Sequence, residues 1–209
     1  MKPLKRFIRE AKKTAKVSPV ISYYCRLYAI MEAMGMDESK KTAAIKQWIS
    51  AQMDQLEQNA VAESKEEAKQ SITSMAHKVF KHADDVDRAG NANKQTAAAF
   101  NSAYVFYTIL KQFGDREESI VEAAKYCMFK TTDILKALKE GRKPKPGPPG
   151  DDEEDDALNA ELNAINTADD APSANDSGSY SLSISLHTPH CIAPNDLIDK
   201  YNKSEIECF

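Results

Sequence analysis

The segment from Pro19 to Met34 restricts the possible folds of this sequence more than any other. Ser18 is a candidate N-cap, and Pro19 suits the first helical position, where a backbone N–H is not needed. Apolar side chains then recur at helical spacing over a stripe broad enough to be covered on two sides: Val20, Tyr23, Tyr24, Leu27, Tyr28, Met31 and Met34. Such a helix needs at least two neighbours, and the sequence supplies one on each side, so we predict a three-helix bundle.

The helix predicted before this segment is amphipathic and basic. Its apolar positions are Leu4, Phe7, Ile8, Ala11 and Ala15, and its other face carries Lys5, Arg6, Arg9, Lys12 and Lys13. A basic amphipathic helix can bind a membrane surface, and this remains an alternative. The apolar side is thin and rich in alanine, which favours packing against the second helix.

The helix predicted after Gly35 begins at Asp37-Glu38-Ser39 and holds the first candidate binding surface. Ile45, Ile49 and Leu56 share one stripe, and Met53 lies at its edge. Asp54 and Glu57 lie beyond that edge. Such an edge could receive an amphipathic helix that carries basic residues, although a core stripe with an ordinary solvated flank explains the pattern equally well.

A second set of three helices is predicted after a polar connection at residues 59–68. The first of these has an apolar face that ends near Gly90, and the helix at about 93–113 is apolar on nearly all sides. The last helix, which Gly141 ends, has an inner face of Ile120, Ala124, Cys127, Thr131, Ile134 and Leu138. We therefore predict an all-α protein with two tandem three-helix domains, at residues 1–60 and 61–142.

Phe129 is the second candidate binding position. On a helical wheel it falls opposite Ile120, on the outer face of the last helix, and Lys125 and Lys136 point nearly the same way. Lysine stems can lie beside an aromatic ring while their charges meet carboxylates. This pattern fits a docking surface for an acidic, leucine-bearing helix, or else a single surface aromatic without a role.

Residues 143–209 differ in composition from the rest. Prolines interrupt the start of this region, Asp151 to Asp156 are all acidic, and residues 157–190 are rich in Ser, Asn, Asp and Ala. Composition therefore predicts a disordered linker and tail. His187, His190 and Cys191 lack a nearby fourth ligand, so we expect no metal site and no cofactor.

The whole sequence argues against several classes of protein. The 209 residues are 42% hydrophobic but contain no apolar run near the ~20 residues that a membrane span needs. The first residues, Met1 to Arg6, lack the apolar region of a secretory signal. A net charge of −4 gives no reason to expect nucleic acid, and the motifs of phosphate loops, hydrolases and metalloenzymes are missing. We expect a non-enzymatic, cytosolic protein that binds other proteins, without membrane insertion. The alternative is a helical structural protein that contacts membranes through its basic first helix.

Several sequence boxes resemble one known family. The longest run from Pro19 to Ala29 and from Ala83 to Gly90, and they include Tyr-Tyr-Cys-Arg-Leu-Tyr and Asp-Arg-Ala-Gly. Shorter boxes are Met53–Glu57, Phe113-Gly114 and Lys125-Tyr126, and all five occur in the order of that family. Together they resemble the N-terminal domain of the Vta / LYST-interacting-protein family over about residues 3–144. That family comprises cofactors of the AAA ATPase that dismantles ESCRT-III filaments at endosomes. The resemblance implies two tandem MIT (microtubule-interacting and transport) domains.

The resemblance also implies partners. Members bind C-terminal helices of ESCRT-III subunits, the charged multivesicular body proteins, during multivesicular-body sorting, and Met53 and Leu56 match contact positions on the first module. Phe129 corresponds to an aromatic, usually Trp, through which the second module binds the protein-five type of subunit. The family's dimerising, ATPase-binding domain has no counterpart in Pro194 to Phe209. We therefore expect this form to bind filament subunits at endosomal membranes but neither to dimerise nor to activate the ATPase, which it would engage only where that domain is present.

Overall fold

The structure, a computed structural model, describes residues 2–148. Six α-helices occupy most of these residues. No strand occurs within these residues, so the prediction of an all-α protein is confirmed. Short 3-10 turns occupy Glu38–Lys40 and Leu110–Phe113. The helices are α1 (Lys2–Thr14), α2 (Pro19–Met34), α3 (Ala43–Gln58), α4 (Lys65–Arg88), α5 (Lys94–Ile109) and α6 (Glu118–Lys139).

Local sequence signals explain most of the helix ends. Pro19 begins α2, although the Ser18 side chain makes no capping hydrogen bond. Ser64 and Glu67 form a reciprocal capping box at the start of α4. The expected start of α3 at residues 37–39 is wrong. Those residues lead into a separate 3-10 turn, and α3 begins at Ala43 because the Thr42 side chain accepts a hydrogen bond from the Ile45 N–H.

The central helices occupy the places that their composition predicts. Helix α2 packs between α1 and α3, and helix α5 packs between α4 and α6. Eleven of the sixteen residues of α2 are buried. In α5, Phe100, Val105 and Ile109 are fully buried. An apolar surface that surrounds a helix is stable only when neighbours cover most of it, which is why both helices lie in the middle.

The two sets of helices also contact each other. Helix α2 lies against α4 and α5, and one hydrophobic cluster runs through both sets. The Gln112 side-chain amide donates to the Tyr24 carbonyl at 3.0 Å, and the Tyr24 and Phe113 rings are 4.8 Å apart. Ser102 Oγ donates to the buried Glu10 carboxylate at 2.9 Å. The division into domains at residues 1–60 and 61–142 therefore remains a prediction about two groups of helices that share a core.

Contact with α5 also corrects the predicted faces of α1. Arg6 was assigned to the basic outer face, but it is buried, with its guanidinium carbon 5.4 Å from the centre of the Tyr104 ring. Ala15 was assigned to the apolar stripe, but it is exposed. Because α1 packs against both α2 and α5, its inner face is wider than the apolar stripe and includes polar residues.

The inner face of α6 was predicted correctly except near its end. Ala124, Cys127, Thr131 and Ile134 are buried as expected. Leu138 is 40% exposed, and the neighbouring Ala137 is buried instead. In the last turn of α6, the small side chain of Ala137 therefore faces the core.

After α6 the chain turns back over the end of the second set of helices. We call residues 143–148 the strap. Its Lys145 carbonyl accepts a hydrogen bond from Lys130 Nζ at 2.7 Å, and its Gly147 N–H donates to Asp87 Oδ2 at 2.9 Å. Lys130 and Asp87 are themselves paired at 3.0 Å, and both side chains are fully buried. The strap therefore supplies two backbone groups to a buried ion pair.

Some sequence predictions lie outside the described residues. They concern the acidic run Asp151–Asp156, the candidate ligands His187, His190 and Cys191, and the terminal region from Pro194 to Phe209. Among residues 2–148, no helix is long and apolar enough to cross a membrane.

Candidate partner-binding surfaces

Neighbouring helices cover only part of the apolar stripe of α3. Leu56 is buried at 4% exposure, whereas Met53 is half-buried against the core. Asp54 and Glu57 are exposed beside it. Arg26 of α2 donates to the Gln52 side chain at 2.6 Å and so fixes this part of α3 against its neighbour. We call this region, with the half-buried Trp48 and Ile49, the α3 surface.

The α3 surface combines apolar contact area with negative charge. Half-buried side chains such as Met53 and Ile49 retain apolar area that is exposed to water, and burying it against a partner is favourable. Exposed carboxylates at the border favour a partner that carries basic residues. An amphipathic helix with basic flanks has this combination of properties.

Phe129 on α6 is also half-buried, but its surroundings differ. It is not among the partly buried side chains that pack against the hydrophobic core, whereas Met53 is. Lys125 and Lys136 are exposed, as the helical wheel predicts. Within residues 2–148, Lys125 makes no ion pair. We call Phe129, Lys125 and Lys136 the α6 surface, which combines an aromatic ring with two lysines. The exposed Glu122 lies two turns before Phe129 on the same side of the helix.

The two surfaces lie on different sets of helices. Helix α3 packs against α2, and α6 packs against α5. The structure therefore groups Met53 and Leu56 with Asp54 and Glu57 on α3, and it groups Phe129 with Lys125 and Lys136 on α6. These groupings agree with the sequence spacing, while the role of each residue in binding remains a prediction.

A polar network at the end of α4 was not predicted from the sequence. The Tyr126 hydroxyl donates to Asp84 Oδ1 at 2.9 Å, and Arg88 Nε donates to Asp84 Oδ2 at 2.6 Å. Burial, followed by this hydrogen bond to Asp84, raises the pKa of Tyr126. Together with Asp87, these residues give the Asp-Arg-Ala-Gly box and Tyr126 a structural role in joining α4 to α6.

The thiols of the described region have properties unsuited to covalent chemistry. Cys25 and Cys127 are buried and not in disulfides. Burial raises the pKa of both thiols, which keeps them protonated at neutral pH and poorly nucleophilic. Among residues 2–148, no three His, Cys, Asp or Glu side chains are grouped so that they could hold a metal ion.

Comparison with known proteins places this helical arrangement in a family. The profile of the Vta1-like family matches residues 3–140, nearly all of the described helices. The chain belongs to the Vta1-like family. This confirms the resemblance seen in the sequence boxes.

Individual Vta1-like relatives come from distant organisms. A protein of Arabidopsis thaliana described as a homolog of mammalian LYST-interacting protein 5 is 35% identical over 180 residues, 86% of this chain and 40% of that protein. The vacuolar protein sorting-associated protein VTA1 homolog of Mus musculus is 34% identical over 187 residues, 86% of this chain and 60% of its own. The VTA1 homolog of Dictyostelium discoideum is 31% identical over 170 residues, which are 77% of this chain and 30% of that protein. The chain thus spans less than two thirds of the length of each of these three relatives.

Proposed function

We propose that this chain is a non-enzymatic adaptor of vacuolar protein sorting that binds C-terminal helices of ESCRT-III subunits at endosomal membranes. The observation that carries the proposal is the pair of half-buried apolar positions, Met53 and Phe129, with exposed carboxylates beside the first and exposed lysines beside the second. Membership in the Vta1-like family and the names of its relatives support the sorting role.

The charged residues beside Met53 and those beside Phe129 suit different partners. The α3 surface, with Asp54 and Glu57, suits a helix with basic flanks. The α6 surface, with Lys125 and Lys136, suits an acidic, leucine-bearing helix such as that of the protein-five type of subunit. Binding of both kinds of helix would regulate how the AAA ATPase disassembles the filament.

The expected affinity is micromolar. Each apolar anchor that a docked helix buries contributes about 1.5–3 kcal/mol. The loss of translational freedom and the ordering of side chains offset much of this sum. A micromolar complex dissociates readily, which suits an adaptor on a filament that is being dismantled.

A titration panel of ESCRT-III C-terminal helix peptides against the full chain tests the proposal. Met53→Asp should abolish binding of basic-flanked helices and leave acidic helices unaffected, and Phe129→Ala should do the reverse. Met53 is a better position than the buried Leu56, where a carboxylate would disturb folding. If all peptides bind both variants as they bind the unchanged protein, the two surfaces are not the sites.

A role at membrane surfaces is the second candidate, and the exposed basic residues of α1 favour it. Lys5, Arg9 and Lys12 are exposed. However, Leu4 and Phe7 are buried, so α1 has little apolar surface left to insert between lipids. Sedimentation with anionic vesicles separates the candidates: the proposed adaptor stays in solution, whereas a membrane-binding protein sediments with the vesicles.

A further inference from the structure

The first helix carries a row of cations on its outer side. Lys5, Arg9 and Lys12 are exposed, and on a helical wheel they lie within about 60° of one another. Lys16, in the turn that follows α1, is exposed as well. We call these four residues the α1 row. They follow one another at intervals of three or four positions, so their charges lie along one line.

No carboxylate neutralises the α1 row. Within the described part of the chain, none of its four side chains makes an ion pair. The one acidic residue among residues 2–18 is Glu10, which is buried and bound by Lys13 at 2.8 Å and by Ser102 at 2.9 Å. Lysines on other helices are paired, as Lys81 is with Asp85 at 3.0 Å. The α1 row is therefore a line of free positive charge.

The packing of α1 turns this row away from the other helices. Ala11 is fully buried, and its carbonyl accepts a hydrogen bond from Ser22 of α2 at 2.7 Å. Arg6 lies over the Tyr104 ring of α5. On a helical wheel Arg9 falls about 160° from Ala11. The α1 row thus lies on the outer side of α1, where a flat surface can approach it.

The charge and shape of the α1 row fit an acidic lipid surface better than an acidic peptide. Leu4 and Phe7 are buried, so a peptide would gain only exposed ion pairs, each of which is weak, and would lose freedom on binding. A bilayer presents many negative charges in one plane and need not become ordered. Because salt screens charges beyond about 8 Å, the local row matters more than the net charge of −4.

We propose that the α1 row contacts acidic lipids at a bilayer surface, without insertion, and that this contact strengthens the binding of partner helices held on the same membrane. The lipid contact itself requires no partner. The gain in partner affinity rests on the proposed adaptor function. The contact is an accessory one, since the partner helices bring the chain to the membrane.

The expected strength of the contact is low. Each lysine or arginine close to an acidic bilayer strengthens binding about fivefold, so four of them give a dissociation constant of about 1 mM in acidic lipid. Among dilute vesicles the free chain therefore stays in solution. A chain held by a partner helix on the membrane meets acidic lipid at an effective concentration of about 10 mM, which raises its apparent affinity about tenfold.

The lipid contact is tested by sedimenting the full chain with vesicles of phosphatidylcholine and phosphatidylserine at up to about 10 mM acidic lipid. The variant Lys5→Gln, Arg9→Gln, Lys12→Gln, Lys16→Gln removes the α1 row. The control Lys65→Gln, Lys78→Gln, Lys111→Gln, Lys139→Gln removes four exposed lysines that lie elsewhere. We expect half of the unchanged chain and half of the control to sediment at about 1 mM acidic lipid. The row variant should need at least tenfold more.

Three outcomes of this sedimentation would overturn the proposal. The first is that the row variant sediments as the control does, and the second is that none of the proteins sediments. The third is that a polyglutamate peptide at micromolar concentration releases the unchanged chain, because the α1 row would then be a site for an acidic peptide. Raising the salt to about 0.5 M should release the chain, and binding that resists this salt also contradicts an electrostatic contact.

The gain in affinity is tested with an ESCRT-III helix peptide anchored to vesicles, with and without phosphatidylserine. The expected result is about tenfold tighter binding on the acidic vesicles for the unchanged chain and the control, and no gain for the row variant. Equal binding of the unchanged chain to both kinds of vesicle contradicts the gain. If no protein binds the same peptide in solution, the proposed function fails, and the lipid contact stands or falls by the sedimentation alone.

Discussion

The helices that follow the two central helices, α3 and α6, are held in different ways. Helix α3 buries only Ile45 and Leu56 among its sixteen residues. Helix α6 buries seven of its twenty-two, among them Lys130, which forms the ion pair beneath the strap. Helix α3 thus leaves a row of apolar side chains partly accessible, while α6 is fixed deeply and offers one aromatic ring outside the core.

This difference shows two ways of making a binding surface on a helical bundle. A lightly buried helix exposes the edge of its own core stripe, so its contacts with a partner and its contacts with the core are adjacent. A deeply buried helix needs a separate side chain on its outer face, and that side chain can change without disturbing the core.

The largest expected effect is at the buried ion pair. Lys130→Met should lower the free energy of unfolding by about 3–5 kcal/mol, because it leaves the buried Asp87 carboxylate without its partner charge. Combining it with Asp87→Asn should restore much of the loss, since the amide oxygen can still accept from the Gly147 N–H. Urea unfolding measures both. Lys81→Met, which breaks the exposed pair with Asp85, is the control and should have little effect. Equal losses at Lys130 and Lys81 would show that burial of the Lys130–Asp87 pair is not the cause.

The next largest effect is the difference in stability between variants at a buried position of α3 and variants at a partly accessible position. Leu56→Ala should cost about 2–5 kcal/mol, because the side chain is buried at 4% exposure. Met53→Ala should cost less than about 1.5 kcal/mol, since part of its area is already exposed to water. The same unfolding measurement applies. If Met53 costs as much as Leu56, the α3 surface is part of the core and is not free for a partner.

A smaller effect is expected when the glycine that follows α4 is replaced by alanine, and the glycine that follows α2 serves for comparison. Gly90 has φ of +71°, which is unfavourable for a residue with a Cβ atom, so Gly90→Ala should cost about 1–2 kcal/mol. Gly35 has φ of −74°, so Gly35→Ala should leave thermal stability nearly unchanged. Thermal unfolding followed by circular dichroism distinguishes the two. A loss at Gly35 equal to that at Gly90 would rule out backbone conformation as the cause.

The last expected effect is a loss of stability at high pH, which does not occur at neutral pH. Burial raises the pKa of Tyr24 to about 12, and it also raises the pKa of Tyr28 and Tyr107. These tyrosines ionise near pH 10 in the unfolded chain. The folded form therefore retains more protons above pH 10, and stability should fall as pH rises from about 10 to 12. Urea midpoints at pH 8, 10 and 11 test this, and a constant midpoint would show that these rings are accessible to water.

The sequence predicted those features that depend on periodicity along one helix. The apolar rows of α2 and α5 placed both at the centre of their neighbours, and the left-handed Gly90 marks the end of α4 as expected. Positions at the edges of α3 and α6 were assigned from the same spacing. Side chains one or two turns apart on a regular helix share a face, so this information is local.

Features that depend on contacts between distant segments could not be predicted in this way. Lys130 and Asp87 pair across 43 positions, and nothing near either residue indicates its partner. Arg6 is buried because α5 lies over α1, a contact that the pattern of α1 alone does not show. The prolines of the strap correctly exclude a helix, but an extended chain can still pack through its carbonyls, as Lys145 does.

The position of α2 has a consequence for sequence change in this chain. This helix touches α1 and α3 on its own side, and α4 and α5 on the other. Being enclosed in this way, it has few positions where a new side chain would meet only water. Glu32 is exposed, and Met31 and Met34 remain partly accessible, so tolerated variation in α2 should be concentrated there.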